Sequence, residues 1–66
     1  MDAMGVLSGE LVEIYLEDGK TVGVVRVGRA TTRVAMMLLM NAKVGDSVMI
    51  YSGIALSKIN GAAIRN

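Results

Sequence analysis

Few residues in this 66-residue chain could do chemistry, and the types that are missing decide most. There is no cysteine and no histidine. That excludes disulfides, thiolate and imidazole metal ligands, and nucleophilic mechanisms built on either side chain. The carboxylates Glu10, Glu13 and Glu17 recur along one segment, but nothing in their spacing identifies a general acid and base, and no enzyme class is indicated. Arg26, Arg29 and Arg33 could form a small basic face, which those same carboxylates balance. Barrels that bind nucleic acid add aromatic stacking platforms to a basic groove. This chain has two Tyr, no Phe, no Trp and a net charge of +1, so a nucleic-acid partner is disfavoured.

What remains is apolar surface. Hydrophobic residues make up 53% of the chain, and six are methionines. Met36, Met37 and Met40, with Leu38 and Leu39, form a dense apolar knot in a domain too small to bury all of it. Methionine is flexible and polarizable and recurs on adaptable protein-binding surfaces. The knot therefore reads partly as a plug for the core and partly as an interface. A small domain with neither disulfide nor metal gains little stability from its own core, which points to a homo-oligomer or a protein-bound subunit.

The elements that would position these residues are strands. Residues 5–16 alternate, with Val12, Ile14 and Leu16 opposite Glu13 and Tyr15, and Gly9 suggests a bulge or bend. Asp18-Gly19 is a type I′ hairpin signal, followed by a Val-rich strand over 21–27. Gly28-Arg29 turns the chain into a third strand at 31–35. Residues 36–41 do not alternate, and read as one helical turn or a loop folded over a barrel end. Val44-Gly45-Asp46 is a turn in which Asp bonds its own backbone and Gly supplies the dihedral. Strand four spans 47–52, Gly53 breaks it, and strand five spans 55–60. The expectation is one domain over residues 1–66, an all-β five-stranded barrel of the oligonucleotide-binding (OB-like) kind. The tail GAAIRN is too short for a stable helix of its own. The start "MDAMGVLSGE" has no basic region, and the longest apolar run, 34–40, cannot span a bilayer. A cytoplasmic protein with no membrane partner is expected.

The stretch "KVGDSVMIYSGIALSKIN" resembles the "VGDyVlVHVGFAisklde" signature of the HypC/HupF family of [NiFe]-hydrogenase maturation chaperones. It matches at Val44-Gly45-Asp46, Val48, Ile50, Gly53, Ala55, Ser57-Lys58 and Ile59. Upstream, "MGVLSGELVEI" is similar to the family opening "CLGIPGKIVEI". The resemblance implies a non-catalytic chaperone with no resident cofactor. Its implied partners are a HypD-like maturation protein and the hydrogenase large-subunit precursor, between which the family passes iron with its cyanide and carbonyl ligands. Ala3 stands where the family has its N-terminal cysteine, and Tyr51 where it has a histidine. Alanine offers no ligand atom, and a phenol with a pKa of about 10 is a poor substitute for imidazole. The chain also reaches Asn66 where family members continue into a helix. The scaffold is thus expected to persist without direct iron carriage. Candidate partner-binding residues are Ala3, Met4, Gly5, Met36, Met37, Met40, Met49, Tyr51, Gly53 and Ala55, with Gly45 and Asp46 as a structural motif. A homo-oligomeric interaction protein on the same barrel is the alternative reading, and a nucleic-acid-binding barrel ranks behind it.

Overall fold

A computed structural model describes residues 5–59. It contains five strands, β1 Val6–Glu17, β2 Lys20–Val27, β3 Ala30–Ala35, β4 Ser47–Tyr51 and β5 Ile54–Lys58. They close into a barrel in the order β1-β2-β3-β5-β4. No helix occurs among the described residues, as an all-β barrel requires. Ala3, Met4 and the tail from residue 60 lie outside the described residues.

Three two-residue turns make the hairpins. Asp18 and Gly19 have φ of 53° and 78°, and Ser52 and Gly53 have 55° and 78°. Positive φ at both central positions is the type I′ geometry, whose twist matches that of the flanking strands. The break expected at Gly53 is therefore a hairpin turn, and β5 begins at once with Ile54 opposite Tyr51.

β1 is the longest strand and serves two neighbours. Its first half, Val6 to Glu10, pairs with β4, and its second half, from Glu10 onward, pairs with β2. The strand must coil sharply where it changes partner. Gly9 sits at that point, and a Cβ there would stand 2.3 Å from the Arg26 carbonyl oxygen. Gly9 keeps its register with Val48, so it is a site of close approach and not the expected bulge. The bulge lies between Leu11 and Glu13. It resets the alternation there. Leu11 takes the core position, Ile14 packs partly against the core, and Leu16 is 71% exposed instead of sharing a buried face with Val12 and Ile14.

The core is Leu11, Val25, Val34, Met36, Leu39, Val48, Ile50 and Ala55. The segment expected as a helical turn or loop is a loop. The Met36 N–H donates to the Thr21 carbonyl, and the Leu39 N–H to the Met36 carbonyl at 3.0 Å. That turn points Met36 and Leu39 inward while Met37, Leu38 and Met40 stay outside. Gly23 makes room for Met36, because a Cβ there would lie 2.8 Å from its sulfur.

These two glycines are not equivalent. An added methyl at Gly9 meets backbone, whereas one at Gly23 meets the ends of flexible side chains. Gly9→Ala should therefore cost about 2–3 kcal/mol and Gly23→Ala about 1 kcal/mol, as overpacking does. Urea unfolding of the two variants checks the order. Equal losses would contradict this account of β1.

Candidate protein-binding surface

Residues paired across a sheet share a face, so the register assigns the exterior. Leu11 and Val25 are buried, which turns Glu10 and Arg26 outward. On the β1–β2–β3 side the exterior is charged, and two cross-strand ion pairs span it, Arg26 with Glu10 and Arg33 with Glu17. All four side chains are about half exposed or more, so each pair is worth well under 1 kcal/mol. They offset two of the three arginines of the basic face read from the sequence, and Arg29 belongs to neither pair.

The opposite side is apolar. Ile50 and Ala55 are buried, so Tyr51 and Ile54 face out. Val6 pairs with Tyr51, Tyr51 with Ile54, Ile54 with Ala35, and Ala35 with Val22. This is an outer row without a charged residue. Val6 and Tyr51 are 45% and 49% exposed. Flanking the row on β1 and β4 are Ser8 and half-buried Met49, also paired and also uncharged.

The row runs into a second apolar feature through Ala35. A groove of about 580 Å³ is lined by Gly19, Lys20, Thr21, Ala35, Met37 and Met40. Met37 is 70% exposed, Met40 67% and Leu38 62%. Large apolar side chains this open, joined to an uncharged row, make this side the candidate binding surface. Among the described residues no group of acidic side chains could hold a metal ion.

The residues named from the sequence scatter over this geometry. Tyr51, Met49, Met37 and Met40 lie on or beside the apolar exterior. Gly5 and Gly53 line a different cleft at the other end of the barrel. Met36 and Ala55 are corrections: at 1% and 0% exposure they belong to the core and offer no side chain to a partner. Their sequence neighbours are exposed, and a spacing argument could not tell which members of the knot turn inward. Gly45 has φ of 101°, and the Asp46 carboxylate accepts the Lys43 N–H at 2.9 Å. The same turn is tied to β1, since Gly45 N–H donates to the Leu11 carbonyl and Leu11 N–H to the Asp46 carbonyl. Sequence reasoning missed Val6 and Ile54. Their signal was parity across two hairpins, legible only once the Ser52-Gly53 turn is recognised.

The described residues form a small closed barrel with a charged face and an apolar face. The sequence model of the HupF/HypC family matches residues 7–66, and the chain belongs to that family. No individual curated protein matches it. Membership carries a chaperone role in hydrogenase maturation, and members of the family are chaperones rather than catalysts. No helix among the described residues is long and apolar enough to cross a membrane.

The loop separates two kinds of methionine. Met36→Ala should destabilise the fold by about 2–5 kcal/mol, as core truncations do. Met37→Ala and Met40→Ala should each change stability by about 0.5 kcal/mol or less, as exposed positions do. Thermal unfolding reads both. A large loss at Met37 would mean that it is packed.

Proposed function

We propose that the chain is a non-catalytic scaffold in hydrogenase maturation, one barrel unit acting in the cytoplasm. Its apolar exterior docks a HypD-like maturation protein and the large-subunit precursor. The observation that carries this reading is the uncharged row Val6–Tyr51–Ile54–Ala35, continued by Met37 and Met40 on the barrel of a family member. A partner would bury these side chains at about 25 cal/mol per Å² before the costs of association.

The family's cargo is iron with cyanide and carbonyl ligands, and this chain is poorly furnished to hold it. It has no cysteine and no histidine anywhere, and Tyr51 stands at the histidine position of the signature. A neutral phenol is a weak ligand for a borderline metal. The scaffold therefore brings its partners together and contributes no thiolate or imidazole to the iron. Placing Ala3 at the family's cysteine position rests on the sequence match, because Ala3 lies outside the described residues.

A second reading has its own support. The exposure of Met37, Leu38 and Met40 at one barrel end also suits a symmetric contact with another copy. Light scattering at high micromolar concentration separates the two, since a dimer abolished by Met37→Glu with Met40→Glu would favour self-association.

Pull-down with the maturation protein and with the precursor tests the main reading. Binding to at least one is expected, and Tyr51→Glu should weaken it by about tenfold or more, the effect of a charge in an apolar interface. Glu13→Lys on the opposite face should leave it within about threefold. Failure to bind either partner would overturn the proposal.

A further inference from the structure

The strand β3 leaves part of its edge unpaired. The two-residue turn at Gly28-Arg29 makes Val27 and Ala30 a hydrogen-bonded pair, and antiparallel pairs alternate from there. Thr32 and Val34 therefore bond β2, while Thr31, Arg33 and Ala35 turn their N–H and C=O groups away from it. The Ala35 N–H donates to the Gly53 carbonyl at 2.8 Å, which fixes this phase. β5 meets β3 in register only at Ala35–Ile54, the last residue of β3. Among the described residues no backbone bond reaches the outward groups of Thr31 or Arg33. Main-chain donors and acceptors in a row are a template for another strand.

A cleft of about 290 Å³ opens beside this edge. Leu7, Val27 and Ile50 give it an apolar floor, Thr31 and Thr32 form the near wall, and Ser52 belongs to the far one. An aliphatic side chain fits that space. Arg29 stands exposed in the adjoining turn, and neither of the two cross-strand ion pairs involves it. Three features thus lie together: unpaired main-chain groups, an apolar pocket on their inner side, and a cation at one end.

We infer that the β3 edge binds an extended peptide segment as an added strand, with one aliphatic side chain in the cleft and a carboxylate against Arg29. Main-chain hydrogen bonds at Thr31 and Arg33 give the affinity, and the pocket and cation give the choice of sequence. The β4–β5 turn and the start of β1 wall the cleft on its far side, so a single extended segment enters where the edge of a folded second copy would not. This surface is separate from the row through Tyr51 and stands or falls without it.

Nuclear magnetic resonance of the labelled full chain tests the inference. The probes are two capped pentapeptides, acetyl-Glu-Thr-Val-Thr-Val-amide and acetyl-Val-Thr-Val-Thr-Glu-amide, which cover both directions of pairing. At least one should saturate with a Kd of about 1 mM or tighter, shifting the Thr31 and Arg33 amides and slowing their hydrogen exchange. N-methylating the probe backbone should weaken binding by about tenfold or more, because it removes the main-chain donors. Thr31→Pro should do the same while leaving the rest of the spectrum in place, since among the described residues no backbone bond uses that N–H. Arg29→Glu should weaken binding severalfold. No saturation, or shifts confined to Met37 and Met40, would overturn the inference. So would slow exchange at Thr31 and Arg33 without peptide: if concentration-dependent, a second copy holds the edge, and if not, the chain's own terminus does.

Discussion

Everything in this barrel depends on one long strand whose two halves pair with different neighbours. β1 pairs with β4 through its first half and with β2 through its second, and Glu10 has a partner on each side. A 66-residue chain has too little material to build two complete sheets, so sharing a strand is how five short strands enclose a core. The coil this demands brings β1 within touching distance of Arg26, where only a glycine fits. The bulge past Leu11 then turns the next residues so that Leu11 and Ile14 both reach inward.

Closure has a chemical consequence. Once the core is filled by Leu11, Val25, Val34, Met36, Leu39, Val48, Ile50 and Ala55, the remaining apolar side chains must stay outside. They are not spread evenly. The β1–β2–β3 exterior carries glutamates and arginines in cross-strand pairs, and the row through Val6, Tyr51 and Ile54 carries none. The exposed pairs add little stability, but they keep that face solvated and unattractive to apolar partners. The barrel therefore has a charged side and an apolar side, and the proposed docking role rests on that division.

The strands, their order along the chain and the first two hairpin turns were legible because Asp-Gly and Gly-Arg stand between β-branched runs, whereas Ser52-Gly53 read only as a break. The turn chemistry at Gly45-Asp46 was equally plain. Two things were not. The bulge at Val12 cannot be read from alternation, since the same letters describe an unbroken strand with Val12, Ile14 and Leu16 on one face. The loop at residues 36–46 hides its geometry for another reason: every residue from Met36 to Met40 is apolar, so nothing in the sequence marks which ones turn inward. Backbone bonds to Thr21 and within the loop decide it, and they bury Met36 and Leu39 while leaving Met37 and Met40 out. Ala55 was misplaced because a small residue beside a turn fits a contact site and a tight core equally well. The family signature added what physics could not, a role in hydrogenase maturation.

On the proposed reading, the apolar row through Tyr51 is the face that partners hold. Site-specific photo-crosslinking in cells assembling a hydrogenase tests it most directly, with the reactive group placed at Tyr51 in one experiment and at Glu13 on the charged face in another. A covalent adduct with a maturation protein or with the large-subunit precursor is expected from position 51, and little from position 13. Adducts from position 13 alone would mean that the charged face does the binding.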